Sequence, residues 1–154
     1  MKLAVGCDHT GIDLKKRIFE HLEKRGISYQ DFGTTLEERA DYPLIGEAVA
    51  AAVVRGEYDG GVLICGTGIG ISISANKVPG IRAVVCSEPY SALLAKQHNN
   101  CNILAMGARV VGQELAVMIL DAWLDGKHEG GRHQMRVDLI SEIERKYSNG
   151  RRRD

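Results

Sequence analysis

Residues 60–70 read GGVLICGTGIG: an unbroken apolar run, GGVLIC (60–65), followed at once by a loop in which Gly66, Gly68 and Gly70 alternate with Thr67 and Ile69. A short run of continuous apolar residues is the signature of a strand buried on both faces, which belongs in a parallel sheet. The glycines then predict a sharp turn into a short helix, IGISISANK (69–77). Strand, glycine loop and helix in immediate succession form half of a βαβ unit, so the rest of the chain is expected to repeat the pattern.

It does so on both sides. KLAVGCD (2–8) is a second buried strand, and from Ile12 to Arg25 the apolar residues Leu14, Ile18 and Leu22 recur every four positions, an amphipathic helix closed by Gly26. ISYQDFG (27–33) reads as a less apolar strand, nearer an edge. Asp41 is placed to cap a helix that has Pro43 near its start and runs to Gly56. RAVVC (82–86) is the fourth strand, with Ser87 capping EPYSALLAKQH, and NILAMG (102–107) is the fifth, followed by a helix over 112–126. A last amphipathic helix spans about Arg132 to Tyr147. Strict alternation predicts a single α/β domain over 1–148, a doubly wound, Rossmann-like fold with five parallel strands and helices on both faces. Residues 149–154, NGRRRD, read as a basic, flexible tail.

Composition narrows the function. The 154 residues suit one domain, which excludes a separate substrate domain. Lys+Arg and Asp+Glu both count 20, so no net field draws the chain to nucleic acid or to a membrane surface. No run approaches the roughly 20 apolar residues of a membrane span. Cys7, Cys65, Cys86 and Cys101 are scattered without a C-x-x-C pair, as expected of reduced thiols in a cytoplasmic protein. No His/Cys pair has zinc-ligand spacing, so no metal is expected.

In a doubly wound sheet, ligands bind beyond the carboxyl ends of the strands. Polar residues gather there: Asp8 and His9 after the first strand, Cys65 to Gly70 after the third, Ser87 and Glu88 after the fourth, Arg109 after the fifth. The loop amides and the helix start favour an anion. Cys65 is open to several readings: core filler, nucleophile, metal ligand, or a base whose thiolate the helix start stabilises. Cys7 and Cys86 read as packing at strand ends, and His21 and His128 as surface residues. Arg132 and Arg136, four apart beside Gly130-Gly131, form either a solvated basic face or a phosphate fork. A dinucleotide reading is also possible, with Glu88, 18 residues after Gly70, as the ribose acid, but the third glycine comes one residue early for G-x-G-x-x-G. His98 and Asn99 lie at the far end of the fourth helix, on the opposite rim, where only a second subunit would bring them into a shared site.

Together GCDHTGIDLKK, DFGT, DYP, ICGTGIGISISANKVPGIRAVVC, HNNCNILAMGARVVG and GGRHQMRVDLISEIE resemble the type B ribose-5-phosphate isomerases. These lie within a wider family that includes galactose-6-phosphate and allose-6-phosphate isomerases. The resemblance covers nearly the whole chain. It implies an aldose–ketose isomerase without cofactor, in which Cys65 moves a proton between C2 and C1. The Gly66–Gly70 amides, including those of Thr67, Gly68 and Ile69, would hold the enediolate, and Thr67 with His98 would open the furanose ring. Asp8, His9 and Asn99 would contact substrate, and Arg109, Arg132 and Arg136 would bind its phosphate. Some members replace the cysteine with a glutamate further along the loop; here that position is Ile71, which cannot take a proton. The family implies a homodimer or tetramer with active sites shared between subunits. The sugar could be ribose 5-phosphate, allose 6-phosphate, galactose 6-phosphate or another, and a non-catalytic phosphosugar-binding domain is the remaining reading.

Overall fold

The computed structural model describes residues 1–35 and 39–148. In chain order the elements are β1 (Lys2–Cys7), α1 (Ile12–Lys24), β2 (Ser28–Asp31), α2 (Tyr42–Val54), β3 (Gly60–Cys65), α3 (Ile69–Ala75), β4 (Ala83–Val85), α4 (Pro89–Asn99), β5 (Ile103–Gly107), α5 (Gln113–Asp125) and α6 (Gly131–Ser148). The strands form a parallel sheet of order β2-β1-β3-β5-β4. The alternation expected from the sequence is therefore present, and β2 is an edge strand as its polarity suggested. The basic tail expected at 149–154 lies outside the described residues.

The period of two along each strand divides the core into two layers. Leu3, Val5, Val62, Ile64, Leu104 and Met106 face α1, α4 and α5, whereas Ala4, Leu63, Cys65, Ile103 and Ala105 face α2 and α3. Trp123, from α5, is the largest side chain in the first layer. α6 buries only His133 and Val137 and packs on α4.

Two caps differ from expectation. α4 is capped by Glu88 rather than Ser87: its carboxylate accepts from the Ser91 amide at 2.9 and 3.0 Å, and Pro89 occupies the first turn. These bonds hold the Glu88 carboxyl below its ordinary pKa, and they occupy the group that the dinucleotide reading needed for a ribose. Asp41 stands at the N-cap position of α2 without a side-chain capping bond; it lines a cleft instead. His21 and His128 are half-buried rather than superficial. His21 Nε2 lies 2.6 Å from Asp121 Oδ1, tying α1 to α5, and His128 Nδ1 lies 2.9 Å from the Gln97 carbonyl oxygen.

The order of the sheet places the chemistry. β1 leads outward to β2, and β3 then returns to β1's other side, so the chain reverses between β1 and β3; β5 lies next to β3. The residues that follow these three central strands must converge at one edge.

Candidate active site

They converge on a cleft of about 540 Å³ lined by Asp8, His9 and Thr10 after β1, by Arg39 to Tyr42 before α2, by Cys65, Gly66, Thr67 and Gly70 after β3, and by Arg109 after β5. That volume suits a small-molecule ligand. Of the residues expected from the sequence, Asp8, His9, Cys65, Gly66, Thr67, Gly70 and Arg109 are present in this cleft. Thr10, Arg39, Asp41 and Tyr42 were not expected in the site: Asp41 was read as a helix cap, and the only other signal for it and Tyr42 was the DYP stretch before the helix.

Cys65 ends β3 with its side chain buried on the α2/α3 side. The chain then turns so that the Gly68 amide donates to Cys65 Sγ at 3.1 Å. A backbone N–H aimed at sulfur is the kind of partner that can carry charge there when the proton leaves. The turn requires glycine: Gly68 has φ +77°, and a Cβ there would stand 2.7 Å from Val85 Cγ2 and 2.8 Å from the Met106 carbonyl carbon. Of the loop amides, Gly68 is thus engaged by sulfur and Ile69 by Thr67 Oγ1 at 3.3 Å. α3 has seven residues, so its dipole is short and the loop's individual N–H groups matter more than the helix behind them.

The remaining thiols lie outside the cleft. Burial pushes Cys7, Cys86 and Cys101 each up to about 11. All four cysteines are buried and free. This bears out packing for Cys7 and Cys86, and gives Cys101, whose place the sequence left open, the same role.

Asp8 is buried, and its Oδ1 accepts from the Thr10 amide at 2.9 Å and the Thr10 hydroxyl at 2.6 Å. This fixes the carboxylate at the mouth of β1. His9 Nδ1 accepts from the Ala40 amide at 3.3 Å, which puts the ring proton on Nε2. Tyr42 lies against Gly70 so closely that a Cβ on that glycine would meet the ring at 2.7 Å.

His98, Asn99, Arg132 and Arg136 are not in this cleft. α4 runs from the carboxyl end of β4 back to the amino end of β5, which leaves His98 and Asn99 on the opposite rim. There the structure assembles a cluster that linear spacing concealed. The His98 and His133 rings stack with centroids 4.0 Å apart and planes 8° from parallel, and Glu129 Oε2 lies 3.8 Å from His98 Nε2 and 3.4 Å from His133 Nε2. These are metal-ligand residue types within reach of one another. The stacked rings do not suit an ion, because imidazole lone pairs lie in the ring plane and one cation cannot lie in two parallel planes at about 2 Å from each nitrogen. Arg132 belongs to this cluster, its Nε donating to His133 Nε2 at 3.3 Å.

The chain matches the family model described as Ribose/Galactose Isomerase over residues 3–140. It is 61% identical over 145 residues to ribose-5-phosphate isomerase B of Escherichia coli, covering 94% of this chain and 97% of that protein. It is 42% identical over 145 residues to D-erythrulose-4-phosphate isomerase of Pectobacterium atrosepticum, covering 94% and 95%. Among solved structures, ribose-5-phosphate isomerase B of Clostridium thermocellum superimposes with a TM-score of 0.94 at 55% identity, covering 96% of this chain and 99% of that one. On a family match spanning most of its length and identities of this extent, the chain belongs to the ribose/galactose isomerase family.

Proposed function

We propose that this protein interconverts ribose 5-phosphate and ribulose 5-phosphate. The observation that carries the reading is the Cys65 thiol at the base of the cleft, held by the Gly68 amide and followed by further loop amides. Aldose–ketose isomerisation needs one base that removes and returns a proton, and donors placed where oxygen becomes negative. Cys65 takes the C2 proton of the open-chain aldose, the cis-enediolate that forms is held by the Gly66–Gly70 amides, those of Gly68 and Ile69 exchanging Cys65 Sγ and Thr67 Oγ1 for the substrate oxygen, and the proton returns to C1 to give the ketose. Thr67, exposed at the loop's crest, acts with His98 in opening the furanose ring. Asp8, His9 and Asn99 meet the sugar, and Arg109, Arg132 and Arg136 meet the phosphate.

This assignment requires two chains per site, since His98, Asn99, Arg132 and Arg136 lie away from their own chain's cleft. The working unit is therefore a homodimer, alone or paired into a tetramer. An apolar stripe supports it: Met135, Leu139, Ile143 and Tyr147 recur every four residues on α6 and are each more than half exposed. Such a stripe on a helix that buries little against its own chain suits a second copy. Free thiols and the lack of any described helix long and apolar enough to cross a membrane agree with a cytoplasmic enzyme.

The Pectobacterium relative is named for a four-carbon sugar phosphate, so chain length is the point to test. Turnover should be compared on ribose 5-phosphate, allose 6-phosphate, galactose 6-phosphate, a tetrulose 4-phosphate and an unphosphorylated pentose. Ribose 5-phosphate is expected to have the highest kcat/KM. In Cys65→Ala, turnover should fall by about 10²–10⁴-fold with substrate binding retained. Near-normal turnover in that variant removes Cys65 as the base, and no turnover on any sugar by the native protein leaves a phosphosugar-binding domain.

A further inference from the structure

The cluster at the carboxyl end of α4 is built by backbone as well as by side chains. The Glu129 amide donates to the Gln97 carbonyl at 3.0 Å, and His128 Nδ1 lies 2.9 Å from the same oxygen. The turn between α5 and α6 is thus stitched to the residue just before His98, and this brings the Glu129 carboxylate to the His98 ring. From the other side, His133 is buried and stacks flat on His98. Its pKa is lowered, first by burial and then by His98 and Arg132. His133 is accordingly a neutral ring whose Nε2 accepts from Arg132.

The groups facing His98 are therefore a neutral ring on one face and a carboxylate toward Nε2, with the Arg132 guanidinium beyond His133. A lone pair on Nε2 facing a carboxylate oxygen 3.8 Å away is repelled, whereas an N–H there is attracted. His133 Nε2, 3.4 Å from the same oxygen, differs because the charged Arg132 N–H already pairs with its lone pair, and His98 Nε2 has no such donor among the described residues. The tautomer of a neutral imidazole follows from the group that one nitrogen faces. Among the described residues no hydrogen bond reaches His98 Nδ1.

We propose that Glu129 is a positioning residue for His98, holding the ring with Nε2–H toward its carboxylate so that Nδ1 is the nitrogen that takes a proton from the cyclic sugar. The inference rests on the ring-opening role given to His98 above. The anomeric O1–H proton passes to Nδ1 and C1=O1 forms. The C1–O4 bond breaks with its electron pair on O4, and O4 is protonated through the Thr67 hydroxyl, resupplied from water. His98 then returns its proton to solvent.

Long-range proton–nitrogen NMR of the full-length protein, at about pH 8 and above the ordinary imidazole range, reads the tautomer directly, with His98 assigned by its loss in His98→Ala. The expected spectrum has a protonated Nε2 and an unprotonated Nδ1, and Glu129→Gln, at an exposed position, should shift the ring toward Nδ1–H. In turnover of ribose 5-phosphate, Glu129→Gln should lower kcat about tenfold with little change in KM. It should add nothing in a His98→Ala background, and Glu129→Asp should recover part of the loss. A wild-type Nδ1–H tautomer, or an equal loss in both backgrounds, overturns the proposal. Full turnover by His98→Ala would instead remove the ring-opening role itself, while the NMR result would still decide whether Glu129 orients the ring.

Discussion

Gly68→Ala tests the fold and the site together. Gly68 has φ +77°, a region that costs an L-residue about 1–2 kcal/mol. Its new Cβ would press on Val85 Cγ2 at 2.7 Å and on the Met106 backbone at 2.8 Å, and such overpacking costs about 1–3 kcal/mol. The sum is about 2–5 kcal/mol. Gly56→Ala is the control: its φ is +74°, and a Cβ there meets nothing within 4 Å, so it should lose only the backbone part. Urea unfolding of both variants at one fixed protein concentration, because association adds to apparent stability, should separate them by about 1–3 kcal/mol. The same displacement moves the Gly68 amide away from Cys65 Sγ. Misplacement of about an ångström can cost 10²-fold in rate, so kcat should fall at least tenfold in Gly68→Ala and stay unchanged in Gly56→Ala. Equal destabilisation of the two variants, or normal kcat in Gly68→Ala, would refute the account of the loop.

Arg136→Ala should mainly raise KM for the phosphorylated sugar with a smaller change in kcat, as expected of binding shared by ground and transition states; an unchanged KM would count against a phosphate role. The three core thiols predict alkaline instability. Burial raises Cys7, Cys86 and Cys101 to about 11 from an ordinary 9.0, so the unfolded chain gives up those protons first and stability falls as pH rises from about 9 to about 11. Each thiol contributes at most about 1.4 kcal/mol per pH unit, and Cys101→Ala should flatten urea midpoints measured across that range. An unaltered slope would show that Cys101 does not titrate with folding.

The parallel sheet was legible because β1 and β3 are buried on both faces and therefore appear as uninterrupted apolar runs, and because helices must separate parallel strands. Cap positions were less legible. Ser87 and Glu88 are both competent caps, and the choice fell to Glu88 because Pro89 suits the first helical turn and the longer carboxylate reaches the Ser91 amide. Asp41 has the right residue type at the right place, yet it faces the cleft.

Sequence alone determined the alternation of strands and helices, the glycine loop after β3, and a cysteine at its head, because local periodicity and glycine content encode them directly. It also carried Asp8, His9 and Arg109 to the ligand edge, since each follows a strand. Tertiary structure alone decided that β1, β3 and β5 are the central neighbours whose ends form one cleft, that Tyr42 and Asp41 line it, and that His98, Glu129 and His133 meet although 31 residues separate the first from the second. Those contacts depend on strand order and on how α6 packs on α4, which are properties of long-range packing that no local stretch of sequence records.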